Sequence, residues 1–316
     1  MKKNDIRIVF MGTPEFAVTI LEGILLANYK VVGVITAPDR PAGRGQKIHK
    51  SAVKLFSQSK NLNTLQPTNL KDETFLSNLE NLNANLQIVV AFRMLPKKVW
   101  QMPKLGTFNL HASLLPDYRG AAPINWAIIN GEKKSGVTTF FIDEKIDTGE
   151  IILQSQIMIN PSENAGSLHD KLMKLGTKLV IKTIEQIEFC SVKTHAQSTE
   201  KTKTAHKLNK DNCKINWNSS VESIYNKVRG LNPYPAAWGL LSNGNKQFNI
   251  KIYKVQKHLV KHNFQIGKLI ITKKSIKIAV TEGYIELINF KFPGKRQMDT
   301  TSFLNGFTFH ENAKML

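Results

Sequence analysis

Ile6-Arg7-Ile8-Val9-Phe10-Met11-Gly12-Thr13-Pro14 is the stretch whose reading decides the fold. Ile6 to Phe10 reads as a strand buried on both faces, since parallel strands covered by helices are near-continuous apolar runs. Met11 to Pro14 is a tight turn, and Pro14 suits the first helical turn, where a missing N–H costs nothing. Phe16, Ile20 and Ile24 then recur at helical spacing through Ala27, and Val31 to Thr36 forms the next strand. This strand–turn–helix–strand opening argues for a doubly wound, mostly parallel α/β sheet. The turn carries no G-x-G-x-x-G, so a dinucleotide site is unsupported.

Moving outward, Pro38 to Lys50 is rich in glycine and proline, which argues against regular structure there. Arg40, Arg44, Lys47 and Lys50 concentrate positive charge in it. It reads either as a solvated loop or as a mobile basic loop that orders on a phosphate backbone. Leu62 to Gln66 is a short strand, and Asp72 to Leu79 a helix turning Phe75, Leu76 and Leu79 inward. Leu86 to Ala91 is a central buried strand. Ala91-Phe92-Arg93 continue from its carboxyl end, where sheets of this kind place ligands. Val137 to Ile142 and Glu150 to Ile159 are further strands, and Leu168, Leu172, Leu175 and Leu179 stripe a long helix.

Chemistry concentrates in Phe108-Asn109-Leu110-His111-Ala112-Ser113-Leu114-Leu115-Pro116 and the acidic loop from Asp143 to Asp147. Asn109 and His111 lie two residues apart, so on a strand they point to one face. An amide N–H can stabilise a developing oxyanion, and an imidazole can move a proton near neutral pH. Asp147 adds a carboxylate that could orient or charge the imidazole. The competing reading is a pair of turn or cap residues beside a structural histidine. Asp147-Thr148-Gly149 is also the aspartic-protease tripeptide. That chemistry needs a second carboxylate of the same kind, and the chain has no second copy.

The remainder is a second unit. Ser191 to Lys207 is polar, basic and thin in apolar residues, as interdomain linkers are. Asn218 or Ser219 could cap a helix bearing Val221, Ile224, Tyr225 and Val228. Arg229 to Trp238 is a proline-aromatic corner. Phe248 to Val255, Gly267 to Thr272, Ser275 to Ala279 and Tyr284 to Phe292 look like strands of a small OB-like barrel interleaved with lysines, and Met298 to Phe307 is a closing helix. A basic barrel face suits an oligonucleotide. A stabilising or dimerising domain with solvated lysines is the alternative.

At 316 residues the chain can hold two cored domains, and 41% hydrophobic with 22% charged residues is ordinary for a soluble protein. The formal charge of +20 favours polyanionic partners, although lysine-biased composition would also produce it. Two cysteines suggest neither a disulfide framework nor a metal site and suit a reducing compartment. No signal peptide or membrane-length segment is evident, so a cytoplasmic protein without membrane contact is expected.

The string Asn109-Leu-His111-Ala-Ser113-Leu-Leu-Pro116, then Arg119-Gly-Ala-Ala-Pro123 and Ile146-Asp147-Thr148-Gly149, closely resembles the folate-dependent formyltransferases. The Gly12-Thr13-Pro14 turn resembles them too, and the likeness runs in order along nearly the whole chain. The resemblance implies a catalytic domain over 1–190, a linker over 191–208 and a tRNA-binding domain over 209–316. It implies Asn109, His111 and Asp147 as the catalytic set, with folate contacts from Ala91, Phe92, Arg93, Ser113, Leu114, Leu115, Pro116 and Asp143. The family's pattern has a glycine where this chain has Arg93, in a segment one residue longer. In members that act on tRNA the basic loop contacts the acceptor end, which assigns Arg40, Arg44, Lys47 and Lys50 to that contact, with Arg44 the leading candidate. The implied reaction moves the formyl group of 10-formyltetrahydrofolate onto the methionine amine of initiator tRNA, with no metal and as a monomer. Two other readings stay open: a formyltransferase for a small amine such as glycinamide ribonucleotide, and a non-catalytic RNA-binding module.

Overall fold

A computed structural model describes residues 5–42, 47–198, 200 and 202–316, which divide into two compact units. The first comprises 1–120, 135–157 and 169–204, and the second 121–134, 158–168 and 205–316.

In chain order the elements begin with β1 (Arg7–Gly12), α1 (Glu15–Leu26), β2 (Lys30–Ile35), β3 (Arg40–Ala42), β4 (Lys47–His49), α2 (Ala52–Ser59) and β5 (Thr64–Leu65). There follow α3 (Glu73–Asn81), β6 (Leu86–Val90), α4 (Lys97–Trp100), β7 (Thr107–His111), β8 (Arg119–Gly120), α5 (Pro123–Ile129), β9 (Lys134–Phe141), β10 (Ile151–Met158) and α6 (Ala165–Glu188). The first unit's main sheet has seven strands in the order β10-β9-β7-β6-β1-β2-β5. β1 pairs in parallel with both β2 and β6, and β7 in parallel with β6 but antiparallel to β9. This is the doubly wound, parallel-rich sheet expected from the opening strand and turn. The chain winds outward from β1 through β2 to β5 and then returns to β6 on the other side. The strand order therefore reverses between β1 and β6, and a crevice opens at their carboxyl ends.

The Gly12 turn works as a close approach. A Cβ there would lie 2.5 Å from the Ala17 Cβ and 3.0 Å from the Val90 carbonyl, so only glycine lets α1 start this near β6. One apolar cluster joins Val9, Met11, Ile35, Phe75, Leu79, Val89 and Val99, so β1, β6, α3 and α4 share a core. Each such side chain contributes roughly 1.5–3 kcal/mol on burial. Asp72 and Ser51 cap α3 and α2 through their side-chain oxygens.

The basic segment differs from its sequence reading. Arg40–Ala42 and Lys47–His49 pair antiparallel, with Arg40 opposite His49 and Pro41 opposite Ile48. Pro41 is tolerated because a two-stranded hairpin consists of edges alone, where a missing N–H breaks little. Arg44 lies outside the described residues, as does the side chain of Lys47.

The chain continues with β11 (Thr204–Ala205), α7 (Val221–Gly230), β12 (Ala237–Asn243), β13 (Lys246–Leu259), β14 (Leu269–Ile271), β15 (Ile276–Val280), β16 (Gly283–Lys291), β17 (Gln297–Asp299), α8 (Thr300–Leu304) and β18 (Lys314–Met315). The second unit's sheet runs β14-β15-β16-β13-β12-β18, with β17 added to β16. A bridge between Lys268 and Lys314 ties the two ends together, giving a nearly closed antiparallel barrel. Ile250, Ile252, Ile278, Ile285 and Phe290 fill it, and Val221, Ile224 and Val228 of α7 pack on the same core.

Three local readings are corrected. Ser220, not Asn218 or Ser219, caps α7, because its hydroxyl accepts from the Ser223 N–H. Trp238 belongs to β12 instead of ending a corner, since Ala237 to Asn243 pair in full register with β13. Gln297–Asp299 pair with β16, so the last helix starts only at Thr300, capped by Asp299. Among the described residues no helix is long and apolar enough to cross a membrane.

Candidate active site

β7 ends at the crevice and carries Asn109 and His111 on one face, as their spacing requires. Asn109 is half-buried between its neighbours Val89 on β6 and Phe140 on β9. Its amide makes no hydrogen bond among the described residues, so both N–H donors are free for a ligand.

His111 is only 7% exposed, and its Nε2 lies 2.8 Å from the Tyr118 carbonyl oxygen. A carbonyl can only accept, so Nε2 carries the proton. Nδ1 is therefore the ring nitrogen left open for proton exchange. It faces Asp147, whose Oδ2 is 3.8 Å away. That spacing is too long for a direct hydrogen bond but close enough for charge–charge attraction. The same Oδ2 accepts from the Gly120 N–H at 3.0 Å. Residues 118–120 thus hold the imidazole with a carbonyl and the carboxylate with an N–H.

The backbone is bent to do this. Tyr118 and Asp147 are both left-handed, at φ 62° and 55°. Non-glycine residues enter this region at a cost, and they persist where the surroundings over-determine them. Gln197 supplies that surrounding at Asp147, donating to the carbonyls of Asp147 at 3.0 Å and Gly149 at 2.8 Å. Its Oε1 accepts from Arg119 Nη2 at 2.6 Å and Nε at 3.1 Å. Neither Gln197 nor the Tyr118 carbonyl was legible in the sequence. The first sits in a polar stretch without pattern, and the second acts through its backbone.

Ser113 to Pro116 form a turn anchored from beneath. Thr138, fully buried, donates to the Ser113 carbonyl at 2.7 Å and accepts from the Leu115 N–H at 3.1 Å. Gln154 donates to the Leu115 carbonyl at 2.7 Å and to Thr138 at 3.0 Å. The Ser113 hydroxyl bonds the Asp117 carbonyl at 2.6 Å, and both Ser113 and Leu115 are buried. Leu114 and Pro116 are the half-exposed members of the four.

A cleft of about 650 Å³, of a size suited to a drug-sized ligand, opens between α3, α4 and the acidic loop. Leu70, Leu76, Met94, Leu95, Trp100 and Glu144 line it. The expected Ala91, Phe92, Arg93 and Asp143 border it in the chain without being among its lining residues, and Ser113 to Pro116 are not among them either. Asp143 instead binds the Thr148 hydroxyl at 2.8 Å and the Lys145 N–H at 3.0 Å, closing the acidic loop on itself. Arg93 donates to the carbonyls of Pro67 and Thr68, the latter at 2.9 Å, so it ties the segment leading to Leu70 onto the end of β6. Burial, and then the like charge of Arg40, pull the Arg93 guanidinium below its ordinary proton affinity. Lys97 pairs with Glu144 at the rim and holds that carboxyl below its usual range.

Of the basic residues, Arg40 and Lys50 are exposed, and Lys50 reaches Gln58 at 3.3 Å. Among the described residues no group of three or more His, Cys, Asp or Glu side chains gathers as a metal site would.

Residues 6–184 match the family model of formyl transferases, and 207–308 match that of the formyl transferase C-terminal domain. The chain is 61% identical over 99% of its length to a methionyl-tRNA formyltransferase of Flavobacterium johnsoniae, 99% of which is covered. It is 49% identical, over the whole of both chains, to one of Bacteroides thetaiotaomicron. Among solved structures it is similar to WlaRD, a sugar 3N-formyl transferase, with a TM-score of 0.64 at 24% identity, covering 92% of this chain and 99% of that one. Site geometry, both family regions in order and full-length relatives converge, and the chain belongs to the formyl transferase family.

Proposed function

We infer that this protein formylates the amino group of methionyl-tRNA. The acceptor is the initiator tRNA and the formyl donor is 10-formyltetrahydrofolate. The observation that carries the chemistry is the convergence of Asn109, His111 Nδ1 and the Asp147 carboxylate at the carboxyl end of β7. The relatives' shared name, over full-length matches, supports the acceptor.

The α-amine of an aminoacyl ester is substantially neutral near pH 7 and attacks the formyl carbon directly. A C–N bond forms and the carbonyl pair moves to oxygen. That oxyanion is bound by the Asn109 amide and by Nδ1–H of protonated His111. Because Nε2–H stays on Tyr118 throughout, Nδ1 alone exchanges the proton. As the oxyanion collapses, Nδ1–H gives its proton to the folate nitrogen, and the emptied Nδ1, facing Asp147, takes the proton of the attacking nitrogen. The folate C–N bond breaks in this step, leaving the formylated aminoacyl ester and tetrahydrofolate. The cleft beside Leu95 and Trp100 is assigned to the apolar part of the folate, with Ala91, Phe92, Arg93 and Asp143 bordering it in the chain, and the turn of Ser113, Leu114, Leu115 and Pro116 to further folate contacts.

Arg40, Arg44, Lys47 and Lys50 are assigned to the tRNA acceptor stem, and the lysines of the barrel to more distant phosphates. Lys251 sits directly opposite Lys291 across β13 and β16. Like charges in that position destabilise a sheet unless a polyanion lies over them. Catalysis is assigned to 1–190 and RNA contact to 209–316, with 191–208 joining them and, through Gln197, also bonding the loop that bears Asp147.

The test is formyl transfer from 10-formyltetrahydrofolate to methionyl initiator tRNA, with glycinamide ribonucleotide as competing acceptor. Transfer to the tRNA alone is expected. Transfer to the nucleotide alone would keep the chemistry and overturn the acceptor.

A further inference from the structure

We propose that Gln197, in the polar segment after α6, is a positioning residue that sets the catalytic geometry of Asp147. The proposal rests on the formyl-transfer reading above.

The orientation of the Gln197 amide is dictated by its partners. On one side stand the Asp147 and Gly149 carbonyls, which can only accept, at 3.0 and 2.8 Å. On the other stands the Arg119 guanidinium, which can only donate, at 2.6 and 3.1 Å. Nε2 must face the loop and Oε1 the arginine, and one side chain satisfies all four contacts. The contacts also close a ring. Asp147 Oδ2 takes the Gly120 N–H, Gly120 follows Arg119, Arg119 binds Gln197, and Gln197 returns to the Asp147 carbonyl. Asp147 is thereby held from its backbone and from its side chain at once.

That double hold has a purpose at this residue. Asp147 is left-handed at φ 55°, a conformation a β-carbon disfavours, so without a clamp its φ relaxes and the carboxylate swings. The carboxylate is already 3.8 Å from His111 Nδ1, at the outer limit of a useful pair. A displacement of about 1 Å can cost on the order of 100-fold in rate. The segment bearing Gln197 is itself fixed to the first unit. His195 forms a two-way backbone bridge with Ile151, at 2.8 and 2.9 Å, and the Lys203 carbonyl accepts the Tyr118 N–H at 2.6 Å. A stretch with linker composition is therefore part of the frame of the catalytic site.

The experiment is a double-mutant cycle on turnover, read by single-turnover transfer from 10-formyltetrahydrofolate to methionyl-tRNA with enzyme in excess. Gln197→Ala is expected to lower turnover about 10- to 100-fold with KM for both substrates changed less than about threefold. Gln197→Glu keeps the shape and the Arg119 contact but removes the donors, and is expected to lose at least as much. In an Asp147→Ala background, Gln197→Ala is expected to cost less than about twofold, because a residue acting through Asp147 has nothing left to position. Equal losses in both backgrounds, or a loss confined to KM, overturn the proposal while leaving the functional reading intact. An inactive parent protein, or an Asp147→Ala variant with full activity, overturns the functional reading and this proposal together.

Discussion

Asn109→Ala separates stability from catalysis more cleanly than any other substitution at this site. The Asn109 amide has no hydrogen-bond partner among the described residues, so its removal strands no buried donor or acceptor. The strand keeps its backbone pairing with β6 and β9, and the side chain is only half-buried. The folding cost is accordingly below about 1 kcal/mol. In the proposed transition state the same amide is one of two donors to the oxyanion, the other being His111 Nδ1–H. Losing one such donor typically costs about 2.7–4 kcal/mol, or roughly 100- to 1000-fold in turnover. Both quantities can be measured on one preparation. Urea unfolding gives the stability, steady-state formyl transfer gives kcat and KM, and filter binding gives affinity for methionyl-tRNA. A large fall in kcat with unchanged tRNA affinity and unfolding midpoint is expected. Turnover within about threefold of the parent would refute the oxyanion assignment, as would equal losses of turnover and tRNA affinity.

Other substitutions test the supports. Thr138→Val keeps shape but strands the Ser113 carbonyl and the Leu115 N–H in the interior, and is expected to cost about 2–6 kcal/mol in urea unfolding, since each such group costs about 1–3 kcal/mol. Gly149→Ala places a Cβ 1.7 Å from the Phe141 carbonyl, so the loop bearing Asp147 must move. Turnover should fall by more than about 10-fold, and an active variant would show that the loop tolerates displacement. Burial raises the proton affinity of the Cys213 thiol, despite opposing lysines at 227 and 251. A raised thiol contributes stability that is present below the unfolded-state value and lost as pH rises through the folded-state value. Under reducing conditions the unfolding free energy of the parent relative to Cys213→Ala is therefore expected to stay constant below about pH 8 and to decline above about pH 9. A pH-independent difference would place the thiol in contact with water.

The sequence by itself was sufficient for the sheet, the parity of Asn109 and His111, and the barrel's existence, because each is a local property. Apolar period, turn chemistry and strand alternation act over a few residues and are read directly from their order. The short string from Asn109 to Pro116 added the family, and with it the reaction. What remained hidden depended on residues far apart in the chain meeting in space. No spacing rule joins Gln197 to Asp147 fifty positions earlier or Thr138 to the turn at Ser113, and a backbone carbonyl such as that of Tyr118 carries no side-chain signature at all. Composition misled where tertiary contact overrode it. Proline and glycine did not prevent the hairpin of Arg40–Ala42 with Lys47–His49, because two edge strands need few N–H donors. A polar, basic stretch around Gln197 lay along the first unit instead of hanging free, because a left-handed aspartate, the Gly149 carbonyl and an arginine offered it four hydrogen-bonding contacts. Only the tertiary structure could decide this, because those donors and acceptors become neighbours only once the chain has folded.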